Sequence, residues 1–549
     1  MKNWRKRILA GVLCLACILP VSAAPTEKTA GDVIRIGLYY GDEALPAANL
    51  ENSTGEGYYM GYTDDEGRFH SLAYTDKTQI TMLKTQNMYW KNGSYSDSGS
   101  GGDVVGCYHI EVNAGLSDYE EALAQAAQYE DGFPAWIGGS YAVRVGAYPT
   151  KSDAQAAYAS LGDPNAAIVG TSAYGINVVA TKTTDILFQF DGGADLPLTI
   201  QPGLDEDVKA VTWFKGYKYY GDFRYERIDG GDLTVVSLVG MDDYINCVIS
   251  QEMSESWPVE ALKAQAVCAR TYAEVHRAKH KKHHFDLCAT TDCQAYIGMK
   301  RTGPNTETAA AETAGVCAWY DGELAETYYF SSSGGATEDP RNVWGTKTEI
   351  PYLKGVIDEY ETAIADTIQT AYGSRKYRWS ITYTREELAE LLREKGYQCA
   401  EIVDFRVSEV SPTGNVVTLT FLDSDGKSYS FSREKNIRTW MGAPSVNYTI
   451  SGGDQYYVDD AGDSLSSVNG AYAIGANGSV AQVGLTEMPY IITAHGVERL
   501  APAGDTFTLN GAGWGHNVGM SQWGAYAMAN AGKTYDEILK FYFTGIELY

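Results

Sequence analysis

Ile245, Ile249 and Glu252 stand at i, i+4 and i+7, so a carboxylate continues the apolar stripe of one helical face. A Glu in such surroundings prefers its neutral form, which is what a general acid needs near neutral pH. The same position also suits an end-of-helix Glu that turns to solvent or pairs with Arg270 or Lys263, and periodicity does not choose between the two. A second group, His280, His283, His284, Cys288 and Cys293, crowds N and S donors into a short stretch. That density suits zinc, with His284, Cys288 and Cys293 as ligands; a Cys288–Cys293 disulfide and a plain basic helix end with Lys279, Lys281 and Lys282 are the alternatives. Third, Gly513-Trp514-Gly515-His516-Asn517-Val518-Gly519 is a loop whose backbone amides can approach a ligand and whose Trp514 can stack on a ring; a buried structural loop fits it as well.

These residues need elements to hold them. Residues 233–239 form a nearly continuous apolar run, a buried strand, and lead into a helix capped by Asp242 or Asp243 that runs to about Met253. Pro258 opens a second helix reaching about His280, with Val259, Leu262, Ala266, Ala269 and Ala273 on one face. Strand patterns return at 405–407 and 417–421, and residues 451–482 read as an elaborated β region. A short helix follows Ser521-Gln522 and stops at Gly532; Thr534 to Glu537 is a capping box for the last one. Upstream, residues 32–40 fit a strand, and the Gly/Ser-rich tract 92–103 reads as a linker. Two strand-helix units come next: 108–112 with 119–129, opened by Ser117-Asp118, and 141–145 with 154–161, opened by Ser152-Asp153. The fold class is mixed α/β (α+β).

Composition narrows the partners. With 549 residues, 44% hydrophobic and 21% charged, the chain is too apolar for disorder and long enough for several domains. Its net charge is −27, the wrong sign for nucleic acid. Arg5, Lys6 and Arg7 precede an apolar run from Ile8 to Leu19 and small residues to Ala24, so residues 1–23 read as a signal peptide. Export follows, to the wall or the outer membrane face; an uncleaved anchor is the minority case. Cleavage after Ala23 leaves 39 basic against 70 acidic residues, or −31, and seven of the nine cysteines. Seven is odd, so at least one is free, metal-bound or paired outside the chain.

Longer stretches carry resemblances. Ser250 to Ala273, with Glu252, Trp257-Pro258, Lys263, Gln265, Arg270 and Tyr272, resembles the signature of the stage II sporulation protein D (SpoIID/LytB) family. Phe285 to Gly298, Tyr329 to Glu338, Pro351-Tyr352-Leu353, Ile437 to Ile450 and Gly513 to Ala525 look like its further blocks in order, so the likeness covers about 205–549. Tyr141 to Tyr148 followed by 154–161 resembles a SPOR-type domain over about 104–182, a small βαβα module, with 24–103 as an N-terminal β segment and linker. The strand 34–39 is a candidate member of the C-terminal domain, with the SPOR-like part inserted.

The SPOR likeness implies binding to peptidoglycan strands that lack stem peptides. The SpoIID likeness implies a lytic transglycosylase cutting between N-acetylmuramic acid and N-acetylglucosamine on denuded strands, with Glu252 as its single acid/base; a non-catalytic activator of a wall amidase is the alternative. An ordinary glycosidase needs a second carboxylate. Here the C6 hydroxyl of muramic acid is the nucleophile; Glu255 and Glu338 are candidate electrostatic helpers and stand next in line should the acid lie elsewhere. Lys263, Gln265, Arg270, Ser333, Glu338, Trp514, His516, Ser521 and Gln522 are expected at the glycan cleft. The family's zinc pattern has a His before the second Cys, where this chain has Asp292. A serine-acylation alternative rests on Ser432-Arg-Glu-Lys435 and Ser445-Val-Asn447, but it lacks the Lys-Thr-Gly box, and Ser432 follows a strand pattern instead of opening a helix.

Overall fold

A computed structural model of the chain describes residues 33–64, 66–99, 101–170, 172–204, 208–372, 377–452 and 505–549, with six short segments between 456 and 499. The leader 1–23 and much of 451–482 lie outside the described residues. The fold is mixed α/β, in two compact units: Asp42–Val235, and Ile34–Gly41 with Val236–Tyr549. Among the described residues no helix is long and apolar enough to cross a membrane.

The first unit is built on a ten-stranded sheet. At one edge the order is Ala167–Val169, Tyr108–Leu116, Ser140–Tyr148, Gly132–Ile137, antiparallel throughout. The helices Tyr119–Ala126 and Lys151–Leu161 complete a βαββαβ unit, not the shorter βαβα expected, because Pro134 and Trp136 sit in a strand, Gly132–Ile137, that pairs along its whole length with the next one. Asp118 caps the first helix as expected, accepting from Glu121 N–H; the second is capped one turn early, by Thr150 on Asp153 N–H. The sheet continues through Ile186–Asp191, Ile176–Ala180, Gln79–Lys84, Ala47–Thr54, Val211–Phe214 and Tyr217–Tyr220. The Gly/Ser tract is not a free linker. Ser94–Ser96 and Asp103–Val105 flank Met88–Lys91 in a small sheet, because Met88, Tyr95 and Val105 pack on Leu83 and Val179 and the Tyr95 hydroxyl donates to Thr183 O.

In the second unit, the strand Val33–Tyr39 pairs in parallel with Leu287–Cys288. The buried strand Leu233–Gly240 leads into the helix Met241–Glu252, whose N-cap is Gly240. Asp242 and Asp243 lie one and two residues inside it and do not cap; Asp242 instead receives Arg270 Nη2 at 2.7 Å. The following helix, Val259–Val275, stops before His280. Its apolar face ends near Ala273, His276 turns to Glu326, and His280 N–H is drawn to Asp286 O. Another core holds Leu388, Leu392, Ile402, Phe405, Leu419, Phe421 and Phe507 beneath the strands Arg378–Thr384, Ile402–Val410 and Val416–Asp423. Ser432 ends the strand Ser428–Ser432 and bonds Thr418, with no helix opening on it.

Candidate active site

Glu252 is the last residue of its helix, where the chain leaves for an extended Met253. The helix buries Tyr244, Ile245, Val248 and Ile249, so the stripe that Glu252 continues is a core face. Its carboxyl is partly buried. Burial pushes it above the usual Glu range, while hydrogen bonds from Gln522 and the Ala295 backbone, and the nearby Tyr329 hydroxyl, pull partly back. Gln522 Nε2 donates to Glu252 Oε2 at 3.2 Å and reaches Gln265 Oε1 at 3.4 Å. Gln522 opens the helix Gln522–Asn530, whose N-cap Ser521 accepts from Gly524 N–H; Gln265 comes from the core face of Val259–Val275. Tyr329 donates to Gln294 Oε1 at 2.9 Å, and Gln294 donates to Tyr244 and to Ala269 O.

Behind Gln522 lies a buried carboxylate pair. Glu361 accepts Ser332 Oγ at 2.7 Å, Ser333 N–H and Gly334 N–H at 2.8 Å, and Ser521 Oγ at 2.5 Å. Asp358 accepts Glu361 N–H, Ser333 Oγ and, at 2.6 Å, the Tyr542 hydroxyl. Both carboxyls are 0% exposed. Burial first, and the neighbouring Glu361 second, push Asp358 up to about 6. The Ser332 turn also pairs with Trp514 through both backbone groups, 3.0 and 2.8 Å. Gly334 at φ +70° and Gly513 at φ +88° meet there so closely that a Cβ on either strikes the other strand's backbone.

The other expected cleft residues are placed as follows. Trp514 is 40% exposed beside this turn. His516 is tied at both nitrogens: Nδ1 accepts Val518 N–H and Nε2 donates to Tyr329 O at 3.1 Å, so it braces the Tyr329 strand. Burial holds its imidazole down at about 4, in the neutral form. Arg270, 2% exposed, pairs with Asp242 and reaches Val316 O. Lys263 pairs with Glu260 and Glu312. Glu338 accepts Asp339 N–H, Asn342, Ser411 and Thr413, and Glu255 accepts Asn305 and Thr306 N–H at the start of the helix Pro304–Glu312. The partners of both carboxyls lie in segments other than those that hold Glu252. Tyr329, Gln294, Asp358, Glu361 and Tyr542 were not singled out from the sequence. The first two lie inside the family-like blocks Tyr329 to Glu338 and Phe285 to Gly298, whereas nothing local in Asp358-Glu359-Tyr360-Glu361 marks its carboxyls as buried.

The Cys-His cluster has a different membership from the one expected. His280, Cys288, Asp292 and Cys293 offer ligand atoms within 4.8 Å of one another, whereas His284 is exposed on a left-handed residue at φ 64°. Cys293 Sγ lies 3.3 Å from His280 Nε2, and Cys288 N–H points at Cys293 Sγ; both cysteines are free thiols. One imidazole, two thiols and a carboxylate fit a tetrahedral zinc site. The loop that carries them continues directly into Gln294 and Ala295, the neighbours of Tyr329 and Glu252.

A family model described as Stage II sporulation protein matches residues 229–320, the span of the Glu252 helix and the Cys-His loop. An uncharacterized protein of Brachyspira hyodysenteriae is 30% identical over 334 residues, 61% of this chain and 73% of its own length. The stage II sporulation protein D of Bacillus subtilis is 26% identical over 57% of this chain and 75% of its own length. The amidase enhancer of Bacillus subtilis is 29% identical over 55% of this chain, which spans only 39% of that protein. The chain, with Glu252, the Cys-His loop and the glycine-flanked Trp514 turn in this order, belongs to the stage II sporulation protein D (SpoIID/LytB) family.

Proposed function

We propose that this chain is an exported lytic transglycosylase acting on denuded peptidoglycan strands, with Glu252 as its single acid/base. The observation that carries the reading is a Glu held by Gln522 and raised by burial, while the rival carboxyls of the sequence, Glu255 and Glu338, are engaged in their own hydrogen bonds. In the neutral form Glu252 gives its proton to the oxygen between N-acetylmuramic acid and N-acetylglucosamine. The C6 hydroxyl closes on C1 as that bond breaks, and its proton passes to the Glu252 carboxylate, which restores the acid. Gln522 keeps the carboxyl oriented, and Trp514 offers a ring for a sugar face. The experiment is mass spectrometry of products from purified protein and amidase-treated peptidoglycan. 1,6-Anhydro-muramic ends support the reading; reducing ends alone make it a hydrolase.

A second reading is favoured by the relative named amidase enhancer: a non-catalytic glycan-binding activator of a wall amidase. Protein that cuts nothing on denuded strands yet accelerates an amidase would replace the first reading with this one. We also propose that the βαββαβ unit of the first half contributes glycan binding, and that His280, Cys288, Asp292 and Cys293 hold structural zinc. Zinc there would fix the loop that presents Ala295 N–H to Glu252. Cys293→Ser is expected to abolish stoichiometric zinc in elemental analysis and to lower stability; a mapped Cys288–Cys293 disulfide in metal-free wild type would sink the zinc proposal alone.

A further inference from the structure

Among the buried groups that the chemistry above does not use, the pair Asp358 and Glu361 stands out. It carries no cation among the described residues, and every donor Glu361 receives through its carboxyl comes from one of two segments: the Ser332-Ser333-Gly334 turn and the Ser521 cap. Ser521 immediately precedes Gln522, whose amide touches Glu252. We infer that Glu361 is a positioning residue for the acid: its carboxyl locks the turn to the cap and so aims Gln522 at Glu252.

Three features support a device that acts through Gln522, beyond general packing. The Glu361 side chain reaches no sugar-accessible surface, being 0% exposed, so it does not touch substrate. Each of its two oxygens binds both segments or one segment twice: Oε1 takes Ser332 and Gly334, Oε2 takes Ser333 and Ser521, so the second oxygen alone bridges turn and cap. Gly524, one turn into the same helix, lies so close to Tyr542 and Asp358 that any side chain there would collide, which presses the first turn of the helix against the Asp358 side of the pair. Asp358 in turn accepts Glu361 N–H and the Tyr542 hydroxyl, and Tyr377 is the further titratable group facing the pair.

The inference rests on the acid role proposed for Glu252, and the test separates the two. The full-length protein is labelled with a water-soluble carbodiimide across a pH series, and the fraction modified at the Glu252 peptide is read by mass spectrometry; kcat and KM on denuded glycan are measured alongside. Because Gln522 lowers the Glu252 pKa, losing its aim moves the labelling midpoint to higher pH. Glu361→Gln, which puts an amide N–H against donors at one oxygen, is expected to shift that midpoint as far as Gln522→Ala does, with no further shift in the double variant. kcat is expected to fall on the order of 10- to 100-fold, with KM nearly unchanged. Should Glu361→Gln not fold, Ser521→Ala removes the bridge at the cap and must shift the midpoint in the same direction. An unmoved midpoint in the folded variants, or shifts that add in the double variant, overturns the inference. Should wild type cut no glycan, the acid reading falls, and the labelling midpoint still decides whether Glu361 positions Gln522.

Discussion

In the ten-stranded sheet of the first unit, Arg144 donates to Glu111 at 2.8 Å and to Gln189, and Gln189 continues the row to His109 and Asn177 Oδ1. His109 Nδ1 donates in turn to Gly146 O, and burial holds its ring down at about 4. That row pairs its one carboxylate with its one guanidinium, and its imidazole stays neutral. In the second unit Glu252 and Asp358 are also desolvated, yet among the described residues no cation faces either: their donors are amides, hydroxyls and backbone N–H groups, Asp358 has the Glu361 carboxyl beside it as well, and both are raised. A buried charge with an opposite charge beside it has no reason to change protonation near neutral pH; a buried carboxyl with only neutral donors holds its proton where an ordinary one has released it. The first arrangement keeps its charges fixed, and the second keeps protons on carboxyls.

The contrast breaks most sharply at Glu252. Glu252→Gln keeps the shape and the Gln522 contact but has no proton to give, so cleavage of denuded glycan should fall on the order of 10³-fold or more while circular dichroism and glycan pull-down stay unchanged. In wild type, kcat should decline as pH passes the raised Glu252 value, a limb above the usual carboxylate range. A Gln variant that retains activity moves the acid elsewhere.

Arg144→Ala attacks the scaffold side. It leaves buried Gln189 and partly exposed Glu111 without their guanidinium and should cost about 2 kcal/mol of stability in urea denaturation. The pH profile of cleavage, per folded molecule, should not move. A changed profile would mean that the two kinds of burial are not separable.

Asp358 tests the same distinction through pH. Its carboxyl is raised in the folded protein to about 6 from an ordinary value of 3.8, so the folded state binds the proton more tightly than the unfolded chain. Its contribution is therefore fully present below about pH 4 and is lost as pH rises through about 6, a change of roughly 3 kcal/mol over that window. Asp358→Asn cannot ionise and should flatten this part of the stability-pH curve. If wild type and variant lose stability in parallel from pH 4 to 7, the raised value at Asp358 is wrong.

How much of this was open to reading depends on whether the cause is local. The Glu252 stripe was legible because the period of one helix sets it, and so was the buried strand at 233–240, a run of apolar residues. The partners of Glu361 and Asp358 were not: Ser332, Ser521 and Tyr542 lie 29, 160 and 184 residues from the carboxyls they bond. Locally, Asp358 does what its pattern says, capping a short helix by accepting Glu361 N–H; only the fold makes that cap dry. The exchange of His284 for His280 in the Cys cluster has a similar origin, since a left-handed φ at His284 reverses the chain at a residue that spacing treats like any other. Gly and Ser around residue 98 suggested a linker, yet three apolar anchors, Met88, Tyr95 and Val105, were enough to fold it.

The smallest expected effect concerns Glu255, three residues from Glu252 in sequence and, with Glu338, an alternative to it as the acid. Its oxygens take Asn305 N–H at 2.7 Å and Thr306 N–H at 3.0 Å, at the positive end of the helix Pro304–Glu312. Gly303 is pressed so close to this carboxyl that a side chain there would displace it. Glu255 is thus held as a cap supplied from a neighbouring segment, and its charge faces the helix dipole and not a leaving group. Glu255→Gln keeps one acceptor and loses the other together with the charge, which should cost about 1 kcal/mol. Cleavage of denuded glycan should survive within about twofold, since a surface-scale loss of that size leaves the Glu252 pocket in place. Steady-state rates on the two single variants, measured side by side, put the question directly: a folded Glu255→Gln protein as inactive as Glu252→Gln would make the cap the acid and reverse the assignment.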